Sequence, residues 1–147
     1  MENCAYMKKV IVEINSRQHG IDKKTDVIKS KAAANYYDRS GRAFVIYKEK
    51  DDENGTVTST MLKIAADSVS LTRHGGIKHQ QVFAEGQTSV SDYATPYGTM
   101  HLKVKTNSLT ICSGKVNIFE IKADYDLYVN GRWQSRNELS IIIYPAN

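Results

Sequence analysis

The chain has little of what marks several protein classes. Among its 147 residues are two prolines, two cysteines, one tryptophan and nine glycines. So few prolines and glycines exclude a collagenous or Pro-rich linker protein. Cys4 and Cys112 share no CxxC spacing and make no disulfide framework, so a reducing compartment, the cytoplasm, is expected. No apolar run approaches the roughly 18–20 residues of a membrane-spanning helix. The first residues carry neither the apolar stretch nor the small-residue cleavage site of a secretory signal. No block of five like charges occurs, and a net charge of +4 falls short of a nucleic-acid arm. Leucine is also scarce, six residues against 13 Ile and 11 Val. With Thr, Tyr, Phe and Trp added, β-branched and aromatic residues reach 47 of 147, which excludes a helical bundle.

What is present is a recurring pattern: a strand-length apolar alternation, then turn residues, every 8 to 14 positions. The turns read as Asp38–Gly41, Asp51–Gly55, His74–Gly76, Glu85-Gly86, Thr95–Gly98, Ser113-Gly114 and Asn130-Gly131. Asn-Gly supplies the two positive φ values of a type I′ hairpin. Between turns, alternate residues face opposite sides of a sheet. Val10, Val12 and Ile14 share a face, as do Met100, Leu102 and Val104. Phe119, Ile121, Ala123, Tyr125, Leu127 and Val129 oppose Glu120, Lys122, Asp124 and Asp126. Strand 43–49 leaves two settings open, because Phe44/Ile46 and Val45/Tyr47 are both apolar.

Eight to ten sequential hairpin strands must hide two edges and one continuous apolar face. Closure into a barrel does both. A sandwich needs long crossovers, and Asp67-Ser68 running straight into Val69 leaves no room for one. A helix has room only near Ser16–Thr25 or Ser30–Asn35. The expectation is an all-β, single antiparallel up-and-down barrel over residues 8–147. Residues 1–7 are expected to form a loose N-terminal extension.

Tyr47-Lys48-Glu49, Leu71-Thr72-Arg73-His74-Gly75 and Gln81-Val82-Phe83 form a pattern continued by Tyr93-Ala94-Thr95-Pro96-Tyr97-Gly98 and by Tyr125…Asn130-Gly131…Asn137-Glu138-Leu139. It resembles the YwiB-like family of uncharacterised bacterial β-barrel proteins, over Lys8 to Ile143. The resemblance implies a lipocalin-like (calycin) barrel and a bacterial cytoplasmic origin, and it hands over no catalytic residues. Lys31–Asn35 and Lys50-Asp51-Asp52 depart from the family pattern.

Small barrels are filled by side chains or hold one small ligand. The small or polar inward residues Thr58, Thr60, Ala32 and Ala34 suit a cavity, or simply take up the barrel taper. Arg73 continues the parity of Val69 and Leu71, so its guanidinium points inward at a strand end. Such a charge needs a carboxylate or carbonyls for its five donors. It can clamp an anionic or amphipathic ligand together with Tyr47, Tyr93 or Tyr125. It can equally pair with Glu49 or Glu85, or reach the rim. Glu49 reaches the interior only if Val45 and Tyr47 do.

No metal-ligand spacing, nucleophile elbow, Cys/His signature or phosphate loop occurs, so no cofactor, metal or catalytic residue is assigned. The expectation is non-catalytic binding of a small anionic or lipid-like ligand. The alternative is a filled barrel that contacts a protein or RNA with its outer face. There, Lys29/Lys31, Lys48/Lys50 and Lys103/Lys105 would stand beside Tyr36, Tyr37 and Tyr97.

Overall fold

A computed structural model describes residues 6–147. Ten antiparallel strands follow one another: β1 (Tyr6–Gly20), β2 (Thr25–Arg39), β3 (Arg42–Lys50), β4 (Val57–Ile64), β5 (Val69–Gly75), β6 (His79–Phe83), β7 (Thr88–Thr95), β8 (Gly98–Ser113), β9 (Phe119–Val129) and β10 (Arg132–Pro145). They form one sheet of order β6-β5-β4-β3-β2-β1-β10-β9-β8-β7, with no helix among the described residues. Every sequential pair except β6 and β7 is a ladder neighbour, and β1 joins β10 to close the meander.

The remaining seam, β6 against β7, is sewn at its ends. Lys78 and Ala94 exchange two backbone hydrogen bonds of 2.9 Å. Toward the other end the Val82 N–H reaches Ser89 Oγ across the seam, and the β6–β7 turn is tied to β8 by the Gly86 and Thr106 N–H groups, which donate to the Thr106 and Gln87 carbonyls. The barrel is therefore nearly closed, as the need to hide sheet edges predicts. The two segments with room for a helix instead belong to the long β1–β2 hairpin. Of the expected extension, residues 1–5 lie outside the described residues, as does Cys4. Tyr6 and Met7 lie in β1, paired with Asp38 and Tyr37.

The turns follow the residues that allow them. Asn130 (φ 49°) and Gly131 (φ 83°) both adopt positive φ, as do Ser40 and Gly41, so both hairpins are of the primed kind that suits strand twist. Bulges at Asn107 in β8 and Gln134 in β10 each insert one extra residue. The first shifts the inward parity from Leu102, Val104 and Thr106 to Leu109 and Ile111.

The interior is divided along the barrel axis. Around the end that carries the β2–β3 and β4–β5 turns it is dry, packed by Val10, Val12, Tyr36, Val45, Ile64, Val69, Ile121, Ile141 and Ile143. Toward the opposite end, which carries the β1–β2, β3–β4 and β5–β6 turns, the inward positions become Tyr47, Glu49, Thr58, Thr60, Arg73, His79 and Gln81. The sequence alternation persists while its chemistry changes from apolar to polar. That change places the candidate site.

Candidate functional site

Strand β3 settles one open reading. Val45 is fully buried and Tyr47 nearly so, whereas Ile46 is exposed, so the Val45/Tyr47 set faces inward and carries Glu49 to the mouth. Cross-strand register then sets Tyr47 beside Thr60 and Thr60 beside Arg73, which itself sits beside His79. Polar side chains from β3, β5, β6 and β7 thus line one side of a cavity of about 320 Å3, with Thr60 of β4 buried behind them. Its polar wall is Tyr47, Glu49, Arg73, His79, Gln81 and Tyr93. Ile14, Ile28, Leu62, Leu71, Leu139 and Ile141 make the rest of the lining largely apolar.

Arg73 carries the strongest signal. None of the ion pairs among the described residues involves it, so neither Glu49 nor Glu85 neutralises it. Its Nε is buried with no hydrogen-bond partner in the protein. Glu49 instead accepts from Thr60 Oγ1 at 2.9 Å, and Glu85 accepts from the Leu109 N–H. An unsatisfied buried donor costs about 1–3 kcal/mol, more for a charged group. A guanidinium held this way is ready for a carboxylate or phosphate, which it grips through two parallel hydrogen bonds.

The neighbours report the same field. Burial, opposed by the charge of Arg73, leaves the Tyr125 hydroxyl pushed up to about 12. Burial and Glu49 push Tyr47 up to about 12 as well, with Arg73 again opposing. Both phenols are therefore neutral donors at physiological pH. His79 responds in the opposite direction: burial first and Arg73 second lower it from 6.5 to about 4. Both of its ring nitrogens lack a partner, and its ring meets that of Tyr93 edge-on at 5.1 Å between centroids. A neutral imidazole beside an unpaired guanidinium offers a ligand one further donor and one acceptor.

This arrangement predicts a pH dependence. The native state keeps His79 neutral, while the unfolded chain protonates it below 6.5. Unfolding therefore takes up a proton between pH 6.5 and 4, so stability is full above 6.5 and is lost as pH falls toward 4. Allowing for the ring's partial exposure, the loss is about 1–2 kcal/mol. Urea denaturation at pH 7 and pH 5 should show it, and His79→Gln should remove most of the difference. An unchanged slope in the variant would assign the acid sensitivity elsewhere.

Not every residue singled out in the sequence joins the cavity. Arg73, Tyr47, Glu49 and Tyr93 line it. Tyr125 stands behind that lining, close enough to feel Arg73, with its ring 5.0 Å from Phe83. Thr60 is wholly buried and braces Glu49. Thr58 accepts the Ile77 N–H and borders a separate 280 Å3 pocket beside the Thr95–Gly98 turn. Tyr36 is buried against Phe119, so it is not a surface stacking platform. His79 belongs to no motif in the sequence and enters the site only through the fold. The parity of His79, Gln81 and Phe83 was the signal available. Arg73 and His79 also border an outer groove of about 590 Å3 along the β6–β7 seam.

No group of three or more His, Cys, Asp or Glu side chains gathers in metal-binding geometry among the described residues. No helix there is long and apolar enough to cross a membrane.

Comparison with known proteins agrees with the architecture. The crystal structure of the YwiB protein from Bacillus subtilis superposes with a TM-score of 0.83, at 21% identity, covering 96% of this chain and 94% of that one. The uncharacterised β-barrel protein YwiB of Bacillus subtilis (strain 168) is 25% identical over 124 residues, 82% of each chain. Residues 12–141 match the family model described as a domain of unknown function, DUF1934. That match spans β1 to β10, the polar wall included, and on it the chain belongs to the DUF1934 family.

Proposed function

We propose that this barrel binds a small anionic or amphipathic molecule, with a carboxylate or phosphate head against Arg73 and an apolar body against Ile14, Leu62, Leu71 and Leu139. One observation carries the reading: an unpaired, partly buried guanidinium borders a cavity of 320 Å3 whose remaining lining is mainly apolar. The volume lies at the lower end of ordinary ligand pockets, roughly 300–1,000 Å3, and so favours a compact body over a long acyl chain. Tyr47 and Tyr93 supply hydroxyl donors at the head position. No nucleophile with an attendant base is assembled there, and the reading is binding without turnover. With Cys112 free and exposed, the chain suits a reducing compartment such as the cytoplasm.

A thermal-shift screen tests this with butyrate, octanoate, palmitate and a set of phosphorylated metabolites, against the native chain and Arg73→Ala. Octanoate or a compact phosphate is expected to raise the melting temperature of the native chain and leave the variant unmoved. Equal stabilisation of both, or none of either by any compound, removes the anion-clamp reading.

A further inference from the structure

Strand β2 is paired along its whole length on one side only. Its ladder with β1 runs from Thr25 to Asp38, whereas its ladder with β3 covers Asn35–Arg39 alone. Residues 31–34 of β2 and 47–50 of β3 therefore face one another without a ladder, which splits the barrel wall there, and residues 25–30 carry the free edge of β2 past the end of β3. Unpaired N–H and C=O groups along an extended strand are a template for another strand, which is why native barrels usually abolish them. Here the edge is neither bulged nor interrupted by proline. Its apolar side chains stand open, Val27 at 52% and Ile28 at 53% exposure.

The chemistry on the two faces of the split is uneven. Even-numbered residues of β2 face inward, and Ile28 and Ser30 border the 320 Å3 cavity together with Tyr47 and Glu49 of β3. Odd-numbered residues face outward and place Lys29 and Lys31 on one lip. Lys48 and Lys50 occupy the outward positions of the other. No carboxylate stands among the outward residues of either free edge, which are Thr25, Val27, Lys29, Lys31, Ala33, Lys48 and Lys50, but Lys31 is already engaged across β1 by Tyr144 and Glu13.

From this we infer that the split is a docking site for an extended acidic peptide that adds a strand to the free edge of β2. Alternation of the added strand would turn every second side chain toward the cavity mouth and the others toward Lys29, Lys48 and Lys50. The peptide it fits therefore alternates apolar with acidic residues. Two of the three lysine pairs that stand out in the sequence lie at this split, where a peptide would also use the backbone edge as RNA would not. The backbone edge itself is separate from Arg73, which lies on β5, although both border the same cavity.

The test uses the whole chain and a fluorescein-labelled ten-residue peptide of alternating Glu and Val, with a Lys-Val peptide as control. Fluorescence anisotropy should show binding of the Glu-Val peptide that weakens with salt. Hydrogen exchange should slow at alternate amides within residues 25–34. Lys29→Glu combined with Lys48→Glu, both at outward positions, should weaken binding at least tenfold and leave the melting temperature within a degree or two. Arg73→Ala should bind the peptide as the native chain does, which separates this site from the anion clamp. Equal binding of the Lys-Val peptide, no binding, or protection elsewhere overturns the proposal. So does competition by a uridine oligonucleotide that leaves the β2 amides unprotected, or protection that appears with protein concentration alone.

Discussion

Arg73→Met is expected to leave the barrel as stable as the native chain, or more stable by up to about 2 kcal/mol, while abolishing anion binding. The sign is the informative part. A buried charge that has found its counter-charge costs roughly 3–5 kcal/mol when one partner is removed, because the other is stranded. Arg73 has no such partner among the described residues, and its Nε has no acceptor. Replacing it with an apolar chain of similar length strands nothing and relieves desolvation. Urea denaturation of the two proteins at pH 7 measures the difference, and a loss above about 1 kcal/mol would mean that the guanidinium is structural. A second readout follows from the electrostatics. Removing the cation should let His79 rise from about 4, while burial keeps it below 6.5, as ring NMR titration would show. An unmoved His79 would mean that the two groups do not share one field.

The largest loss of stability is expected at Gly75, where Gly75→Ala should cost about 3 kcal/mol or more. Two causes combine. Gly75 sits at φ +117°, a region L side chains rarely adopt, and a Cβ there would lie 2.2 Å from the Val57 carbonyl oxygen. That oxygen is backbone and accepts the Gly76 N–H, so it cannot rotate aside. Relief requires the β4–β5 ladder to open at Thr58↔Gly75, two pairs from Thr60↔Arg73. The variant should therefore unfold at lower denaturant and also disturb Arg73. Gly41→Ala is the control, since φ is +75° there but no atom lies within 4 Å of the added Cβ. It should cost only about 1 kcal/mol. Equal losses at both positions would show that backbone strain alone accounts for the effect.

The legibility of the fold in the sequence has a simple origin. Each hairpin is specified locally: Asn130-Gly131 sets its own turn, and Val10, Val12 and Ile14 declare their own face. A meander asks nothing more, because every ladder except the β1–β10 closure joins neighbours in sequence. Strand 43–49 resisted because both of its faces are apolar. Only the packing of Val45 and Tyr47 against the core, with Ile46 left outside, decides it. The long hairpin near residues 16–35 resisted for the opposite reason, since much of it has no buried face to read. The β8 bulge was hidden too, because a one-residue shift of parity at Asn107 is visible only against the register of β9.

The same division runs through the site. Parity along one strand was enough to aim Arg73 inward, while Tyr47 and Glu49 joined it only once packing had settled the face of β3. Parity cannot say whether an inward cation meets a carboxylate, since that depends on distances between strands that sequence does not carry. Tertiary structure decided that Glu49 turns to Thr60, that His79 is held neutral beside the guanidinium, and that β2 parts from β3 to leave an edge open. What the sequence determined by itself was the alternation and its turns, local properties of a chain with few prolines, few leucines and many β-branched residues. What only the folded barrel decided was which inward groups are satisfied, because satisfaction is a property of pairs brought together from distant positions.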